Sequence, residues 1–267
     1  MSLRLDPTMR DRLAAADRPL AGMWVSSGSP LVAEICAGSG LDWLLIDMEH
    51  APNGLESVLA QLHAVAAYPI TPVVRLPSAD ATVIKQVLDI GAQNLLIPMI
   101  ESARAAQDVV DAARYPPRGG RGVGSALARS ARWNRVDDYL QDASDHVAVF
   151  VQIESATGAA GAAEIARVDG IDGIFVGPSD LAASMGRLGQ QAHPDVQGVV
   201  REVIEASVQG GTACGVNAFD PAVASAYLDQ GVRFILVDAD VSLLARSTER
   251  LASAWCSSPD SGTRLSY

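Results

Sequence analysis

The chain has 267 residues, of which 49% are hydrophobic and 19% are charged, and its formal net charge at pH 7 is −11. This composition is typical of a compact enzyme and excludes a disordered chain. The negative charge disfavours a nucleic-acid partner, because neutralising phosphates requires a basic face. No uncharged apolar run approaches the ~18 residues of a membrane span, so no membrane partner is expected.

The three cysteines are scattered along the chain at Cys36, Cys214 and Cys256. They form neither a metal-type pair nor a disulfide framework, which is typical of a protein in a reducing cytoplasm. The N-terminal segment mixes charged residues with proline and lacks the apolar core of a signal peptide. We therefore expect a cytoplasmic protein.

Apolar runs of strand length recur along the chain, and most are separated by segments of helical pattern. Because parallel strands need crossover helices, eight such alternations predict an α/β fold, a (β/α)8 TIM barrel, with a doubly wound open sheet as the alternative. Barrels of this class commonly occupy ~250 residues, so we expect residues 1–267 to form a single domain. The predicted strands are Leu20–Val25, Trp43–Asp47, Pro72–Leu76, Asn94–Pro98, Val147–Glu154, Gly173–Gly177, Thr212–Ala218 and Phe234–Asp238. The predicted helices are Pro30–Ala37, Leu55–Ala67, Ala79–Ile90, Ser102–Ala113, Gly158–Arg167, Asp195–Gln209, Pro221–Gln230 and Val241–Trp255.

One connection interrupts the alternation, because about thirty residues, 115–145, separate the fourth predicted helix from the fifth strand. Loops of this length inside a compact domain are functional or disordered. We interpret this one as a functional insertion with a short helix at Trp133–Leu140. Its glycines at positions 120, 122 and 124 follow a Pro-Pro turn rather than a strand, which disfavours a dinucleotide site. The polar tail, residues 257–267, is expected to be loose.

Polar residues collect at the C-terminal ends of the predicted strands, which is where barrel enzymes place their chemistry. Charges that only solvate a strand end are the alternative at any one strand, but chance does not account for most of the eight. We therefore expect an active site at this end of the barrel, with Trp24 among the substrate-binding residues. The residues at the strand ends are Trp24, Asp47, Glu49, His50, Arg75, Gln152, Glu154, Asp180, Asn217 and Asp238.

Glu154 and Asp180 come from neighbouring predicted strands, and Gln152 is close to them in sequence. Carboxylate oxygens suit a hard divalent cation such as Mg²⁺, Mn²⁺ or Co²⁺ and leave coordination positions open for water and substrate. The alternative is that Asp180 caps the helical turn that follows it. We interpret the two carboxylates as metal ligands.

Arg75 ends an apolar strand, where a cation is costly unless an anion meets it. We interpret it as stabilising a developing oxyanion, with a structural ion pair as the alternative. His50 is a candidate general base, and Asp47, three residues earlier, is a candidate to orient its ring. Lys85, the only lysine, lies inside a predicted helix, which disfavours a Schiff-base mechanism. The sequence predicts no role for Glu49.

Six segments, taken together and in this order, resemble the HpcH/HpaI aldolase family of class II pyruvate aldolases. The resemblance covers roughly residues 4–255, although each segment alone would be weak. Ser179 departs from the family pattern, which has a small apolar residue, usually Ala, at this position, but its backbone amide still suits a carboxylate. The segments are Asp47–Asn53, Arg75–Pro77, Lys85–Gln93, Arg121–Ser125, Gln152–Glu154 and Val176–Leu181.

The resemblance implies a metal-dependent, reversible retro-aldol cleavage in the catabolism of aromatic compounds. The substrate would be a 4-hydroxy-2-oxo acid such as 4-hydroxy-2-oxoheptanedioate, and the products would be pyruvate and an aldehyde such as succinic semialdehyde. Carried over to matching positions, the resemblance implies that Glu154 and Asp180 bind the divalent cation, and that the pyruvate moiety is held by Gln152, Gly177, Pro178 and Ser179. It implies that His50 is the general base and that Arg75 stabilises the enolate. It also implies that Asp47 orients His50 and that Asp89 of the third predicted helix raises the basicity of His50.

The resemblance also implies a homohexamer, a trimer of dimers, in which paired subunits exchange the eighth helix. Two enzymatic alternatives stay open: a 2-keto-3-deoxy sugar acid aldolase of the same family, and an acyl-CoA lyase of the citrate lyase beta-like superfamily. The second needs a cleft for a nucleotide, and the sequence has no basic patch suited to CoA phosphates. A non-catalytic barrel that senses an oxo acid is disfavoured by the presence of His50, Arg75, Glu154 and Asp180.

Overall fold

A computed structural model describes residues 3–256, so the predicted loose tail, residues 257–267, lies outside the described residues. The described chain forms eight strands and twelve α-helices. The strands are β1 (Leu20–Val25), β2 (Trp43–Asp47), β3 (Thr71–Arg75), β4 (Asn94–Ile97), β5 (Ala148–Ile153), β6 (Gly173–Val176), β7 (Ala213–Asn217) and β8 (Phe234–Ala239). The helices are α1 (Met9–Ala15), α2 (Pro30–Ala37), α3 (Leu55–Ala64), α4 (Ala81–Asp89), α5 (Ala103–Ala113), α6 (Tyr139–Asp142), α7 (Ala156–Ala160), α8 (Ala162–Ile165), α9 (Pro178–Ser184), α10 (Pro194–Gly210), α11 (Pro221–Asp229) and α12 (Asp240–Trp255).

The eight strands form one closed parallel barrel in chain order, and β1 pairs with β8 to close it. The predicted TIM barrel is confirmed, and the open-sheet alternative is wrong. Every strand begins and ends within one residue of its predicted bounds. The reason is local: a strand covered on both faces is a short unbroken apolar run, as in β2, where all five residues are buried.

Aromatic rings fill the middle of the barrel. The centroid of the Phe234 ring lies 5.8 Å from that of Trp43, 5.3 Å from that of Phe150 and 6.1 Å from that of Phe175, which are favourable separations for ring pairs. Gly215 stands opposite Phe234 in the β7–β8 register, and a Cβ at this position would collide with the Phe234 ring. The barrel is therefore a packed core rather than a pore.

Helix α1, which the sequence analysis did not predict, covers the N-terminal end of the barrel. Thr8 and Asp11 form a reciprocal capping box at its start. Met9 and Leu13 are buried and join the aromatic core, and the Met9 amide donates a hydrogen bond of 2.6 Å to Asn94 Oδ1 at the start of β4. With this end filled by a helix, the polar strand ends at the opposite end are where a site forms.

The helical segments depart from prediction after β5 and β6. The predicted helix Gly158–Arg167 is two short helices, α7 and α8, separated at Gly161. After β6 the chain first forms α9 and only then the predicted long helix, α10. Among the described residues, no helix combines the length and the apolar character needed to cross a membrane.

The long connection between α5 and β5 packs its own small apolar cluster, which includes Tyr115 and Tyr139. The predicted helix at Trp133–Leu140 is wrong. Three successive residues, Arg132, Trp133 and Asn134, have left-handed backbone with φ of 49°, 55° and 61°, a conformation that does not propagate as a helix in L-residues. Helix α6 begins only after this turn.

The ring cluster generates a stability prediction. Phe234→Ala removes the ring that contacts three other aromatic residues and leaves a cavity in a core with no room to collapse. We expect a loss of about 3–5 kcal/mol in the free energy of unfolding, measured by urea denaturation followed by far-UV circular dichroism. Leu188→Ala is the control, because Leu188 is 80% exposed and its loss should change stability by less than ~0.5 kcal/mol. Equal effects of the two substitutions would contradict the packing described here.

Candidate active site

The C-terminal ends of the strands carry a layer of polar side chains above the aromatic core. Asp47 of β2 and Arg75 of β3 stand directly opposite each other in the strand register. Trp24 of β1 donates its indole N–H to Oδ1 of Asn217 of β7 at 2.9 Å, a bond that spans the intervening strand β8. Strand β5 adds Gln152, which is 2% exposed. The predicted strand-end residues therefore converge on one mouth.

Arg75 is the central cation of this mouth, and its side chain is fixed from three directions. Asp47 accepts two hydrogen bonds from it, from Nε and from Nη2, both at 2.8 Å. Glu49 Oε2 lies 2.8 Å from Nη1. The guanidinium also lies over the Trp24 ring at 4.3 Å, a cation–π distance. Because Arg75 is only 5% exposed, these partners balance a charge that water cannot reach.

Glu49, for which the sequence predicted no role, is therefore an ion-pair partner of Arg75. Its Oε1 atom also lies 3.9 Å from Nε2 of His50. Burial raises the pKa of Glu49, and the nearby charges of Arg75 and His50 oppose that shift. Glu49 is thus close to both His50, the predicted general base, and Arg75, the predicted stabiliser of the oxyanion.

The structure does not bring Asp47 to His50. Both carboxylate oxygens of Asp47 bond to Arg75, and Oδ1 also accepts from the Glu49 amide at 3.0 Å. The partner of Asp47 was mispredicted, since a spacing of three residues fits a helix face but here the chain leaves a strand into a turn. Within the described protomer, the charged neighbour of the His50 ring is Glu49, and the side chain of His50 is 67% exposed.

Asp89 lies away from His50 in the protomer. It is the last residue of α4, and helices of a parallel barrel run back from the C-terminal to the N-terminal ends of the strands. Its Oδ1 atom accepts a hydrogen bond of 2.7 Å from Arg121 Nη2 in the long connection. An effect of Asp89 on His50 within one protomer is therefore not supported by this geometry.

Glu154 is a buried carboxylate, 3% exposed, at the end of β5. Its Oε1 atom accepts a hydrogen bond of 2.9 Å from the Met99 amide, and Oε2 accepts from Gln152 Nε2. Burial raises the pKa of Glu154 to about 7; the Met99 hydrogen bond opposes the shift, and the negative charges of Glu49 and Asp180 add to it. The surroundings of Glu154 thus disfavour the negatively charged form of its carboxylate.

The start of α9 forms another wall of the mouth. Gly177 precedes the helix, and Pro178 occupies its first turn, a position that suits proline. A Cβ at Gly177 would lie 2.9 Å from both Gln152 Nε2 and Glu154 Oε2, so only glycine allows this approach. The first helical hydrogen bond is made by the Leu181 amide. The preceding amides, including that of Ser179, therefore point out of the helix start, where anions bind favourably.

The charges of the mouth fit a divalent cation. Asp47 and Glu49 balance Arg75, whereas neither Glu154 nor Asp180 has an ion pair within the part of the chain that the structure describes. No metal-binding group of three or more His, Cys, Asp or Glu occurs among residues 3–256. Two carboxylates nevertheless suffice for Mg²⁺-like ions, which commonly keep several water ligands. Burial, with the negative charges of Glu49 and Asp180, raises the pKa of Glu154, and a bound cation would favour its ionised form.

Met99 is the residue of the mouth that sequence reasoning missed. Its backbone is left-handed, with φ of 55°, which is uncommon for a side chain of this size. The amide is thereby placed 2.9 Å from Glu154 Oε1. No pattern in the sequence marks a methionine for this conformation, because it results from the path of the chain between β4 and α5.

Several known proteins that are similar to this chain are aldolases. Residues 20–247 match the family model described as HpcH/HpaI aldolase/citrate lyase. The chain is 53% identical to the hydroxypyruvate/pyruvate aldolase of Paraburkholderia phytofirmans, over 91% of both proteins. It is 48% identical to a 4-hydroxy-2-oxo-heptane-1,7-dioate aldolase of Escherichia coli, over 89% of this chain and 91% of the relative. The crystal structure of an HpcH/HpaI aldolase/citrate lyase family protein from Burkholderia cenocepacia superposes with a TM-score of 0.89 at 45% identity, over 93% of this chain and 99% of that one. The predicted family resemblance is confirmed.

The raised pKa of Glu154 generates a pH prediction for protein held in a chelator. Between the unfolded pKa of about 4.5 and the folded pKa of about 7, the folded state binds more protons than the unfolded state. The free energy of unfolding should therefore fall as the pH rises through this window, by on the order of 3 kcal/mol from this group. Glu154→Gln removes that contribution, so the stability difference between variant and wild type should grow with pH.

Urea unfolding at a series of pH values measures this difference. Glu202→Gln, which alters an exposed carboxylate on α10, is the control and should track the wild type. Parallel pH profiles for Glu154→Gln and the wild type would show that Glu154 titrates normally.

Proposed function

Since the chain belongs to the HpcH/HpaI aldolase/citrate lyase family and is a carbon–carbon lyase of the pyruvate aldolase class, we propose that it cleaves a 4-hydroxy-2-oxo acid reversibly to pyruvate and an aldehyde, with the help of a divalent cation. The observation that carries the proposal is the division of charge at the barrel mouth. Arg75 is paired with Asp47 and Glu49, whereas Glu154 and Asp180 have no ion pair among the described residues and are available to bind a cation.

Glu154 and Asp180 are the proposed ligands of Mg²⁺, Mn²⁺ or Co²⁺, which when bound would supply Lewis-acid polarisation of the 2-oxo acid. Gln152 is buried beside Glu154, and its Nε2 donates a hydrogen bond to Glu154 Oε2. It and the amides at the start of α9, next to Gly177, are proposed to hold the pyruvate moiety. Pro178, Ser179 and Trp24 complete the proposed substrate-binding residues.

Arg75 is proposed to stabilise the enolate. Two of its five N–H groups donate to Asp47, and Nη1 lies 2.8 Å from Glu49 Oε2 in an ion pair without hydrogen-bond geometry, so N–H groups on the two terminal nitrogens remain for the oxygen on which negative charge develops. His50 takes the proton of the 4-hydroxyl group, the C3–C4 bond breaks, and its electron pair passes into the enolate of pyruvate. A proton then returns to C3. Asp47 acts through Arg75, as its positioning residue, rather than through His50.

A second candidate nucleophile is hydroxypyruvate, because the relative at 53% identity is named for both hydroxypyruvate and pyruvate. The test is to incubate the protein with Mn²⁺, pyruvate or hydroxypyruvate, and a panel of aldehydes that includes succinic semialdehyde. The measured aldol rates rank the two nucleophiles and the aldehydes. The cytoplasmic location, the role in aromatic catabolism and the absence of nucleic-acid and membrane partners stay predictions.

We propose that the enzyme assembles as a homohexamer whose paired subunits exchange α12. Only Asp240 of this helix is buried in the protomer. Apolar side chains along it are exposed, among them Leu244 at 65% and Trp255 at 84%. A helix with unburied apolar residues is expected to pack against another surface.

Assembly also gives Asp89 a route to its proposed role. Because Asp89 and His50 lie at opposite ends of one protomer, an effect of this carboxylate on the basicity of His50 has to come from a neighbour. The connection next to Asp89 exposes Val123 at 65% and Leu127 at 88%, apolar side chains suited to a protein contact. We therefore propose that Asp89 of the partner subunit approaches His50.

The test of the proposed reaction is removal of the cation. Protein treated with a chelator should lose retro-aldol cleavage and the exchange of pyruvate C3 protons with solvent by at least ~100-fold, because the enolate loses several kcal/mol of stabilisation. Adding Mn²⁺, Co²⁺ or Mg²⁺ should restore both rates, as measured by a coupled pyruvate assay and by NMR in deuterated water. Full activity in the chelated protein would exclude the metal.

Arg75→Ala distinguishes enolate stabilisation from metal binding. We expect cleavage and proton exchange to fall ~100- to 1,000-fold while Mn²⁺ binding, measured by calorimetry, is retained. Proton exchange at the wild-type rate would remove Arg75 from the mechanism.

Mixing two inactive variants tests the role of the partner's Asp89. His50→Ala and Asp89→Asn should each lose most activity when assembled separately. Mixed assemblies, formed by dissociation and reassociation, would contain sites with an intact His50 beside an intact Asp89 from the neighbour, so they should regain up to about a quarter of the wild-type rate on random pairing. A mixture no more active than its components would place the two residues in independent roles.

A further inference from the structure

A cavity of about 130 Å³ opens at the N-terminal end of the barrel, opposite the active site. It lies between the starts of β3 and β4, the ends of α3 and α4, and the long connection. Since one water takes about 30 Å³ of liquid volume, the cavity has room for a few waters or one small solute. Neither the family roles nor the proposed reaction uses it.

Three arginines are among the residues that line this cavity, the exposed Arg12 and the half-buried Arg129 and Arg132, together with a single acidic residue, Asp6. Arg129 Nη1 donates to the Ile90 carbonyl at 3.2 Å, and Arg132 Nη1 donates to the Arg129 carbonyl at 2.7 Å. None of the three forms an ion pair with a carboxylate within residues 3–256. In a chain with a net charge of −11, positive charge is thus concentrated at one cavity.

The other polar side chains of the lining are already occupied. Gln93 Nε2 donates to the carbonyls of Asp6 and His146, at 2.9 and 3.3 Å. Asn94 donates to the Pro72 carbonyl at 2.9 Å and accepts from the Met9 amide. The Tyr68 hydroxyl donates to Glu34 Oε1 at 3.2 Å, so the side-chain donors available to a solute are those of the arginines and the hydroxyl of Thr71.

The guanidinium groups repel one another as placed. Burial lowers the pKa of Arg129, and the nearby charge of Arg132 lowers it further. Burial likewise lowers the pKa of His63, with both arginines adding to the effect. An anion between the arginines would relieve this repulsion.

The backbone around the cavity is fixed in unusual conformations. Gly91 has φ of +96°, and a Cβ there would lie 2.5 Å from Arg129 Nη1, so the guanidinium packs directly on this glycine. On the other side, the left-handed turn Arg132–Asn134 contains no glycine. Strained backbone of this kind persists where surrounding structure enforces it, and it concentrates at ligand sites.

We propose that this cavity is a second binding site, separate from the active site, for a small oxyanion such as inorganic phosphate or a short carboxylate. Guanidinium groups bind both through paired, charge-assisted hydrogen bonds. An anion bound by Arg12, Arg129 and Arg132 ties α1, the long connection and the turn after α4 together at the closed end of the barrel. The site does not depend on the proposed aldolase reaction.

Calorimetric titration of the full chain tests the site, with inorganic phosphate in one arm and succinate in the other, at constant ionic strength. Saturable binding of at least one anion is expected, and the affinities identify the preferred class. Arg129→Gln and Arg132→Gln each remove a positive charge and should weaken binding at least ~10-fold. Arg104→Gln, which alters an exposed arginine on α5, is the matched control and should bind like the wild type.

Arg75→Ala locates the binding, because the active site also attracts anions. Anion binding at the cavity should survive this substitution, whereas binding lost in Arg75→Ala and kept in both cavity variants would overturn the proposal. Absence of saturable binding by either anion would also overturn it. Thermal melts without anion check that the variants fold. If Arg129→Gln does not fold, Arg132→Gln still tests the proposal, since among the described residues the Arg132 side chain hydrogen-bonds to a backbone carbonyl.

Discussion

The balance of charge around Arg75 is the constraint on which the active site depends. A guanidinium that is 5% exposed has to be paired, and the barrel register supplies Asp47 directly opposite it. The two-point geometry of that pair fixes the plane of the guanidinium, Trp24 covers one face, and Glu49 holds the remaining nitrogen. An arginine held this rigidly is already oriented for an oxyanion, so little reorganisation is needed when charge develops.

The same balance explains why the neighbouring carboxylates are available for a cation. Arg75 is paired with Asp47 and Glu49, and within residues 3–256 no ion pair offsets Glu154, whose pKa is raised to about 7 by burial and by repulsion from Glu49 and Asp180. The mouth thus contains an ion pair, that of Arg75 with Asp47 and Glu49, and two carboxylates without an ion pair among the described residues, Glu154 and Asp180. In the proposed reaction Arg75 would stabilise the enolate, and Glu154 and Asp180 would hold the cation that supplies Lewis-acid polarisation.

The two ends of the barrel differ in charge because different parts of the chain form them. Strand ends supply the acidic mouth, whereas α1, the helix ends and the long connection supply the arginine cavity at the other end, where Arg129 lies over Gly91. The aromatic core around Phe234 separates the two. The apolar side chains exposed on α12 and on the long connection, such as Trp255 and Leu127, are the features that the protomer alone leaves unexplained and that the proposed assembly would cover.

The pattern of apolar runs was enough to predict the fold, and it also indicated which end of the barrel carries the candidate active site. Buried parallel strands are local apolar runs, so the bounds of β1 to β8 were predicted to within one residue. Arg75 and Glu154 were identified as candidate site residues because they stand at strand ends. The interaction partners of these side chains became known only from the folded structure. Asp47 bonds to Arg75 instead of His50, and Asp89 lies at the end of the protomer opposite His50. Helix α1 and the left-handed backbone of Met99 also escaped prediction. The physical reason is that ion pairs and strained turns are set when the barrel closes, between residues whose distance in sequence carries no signal.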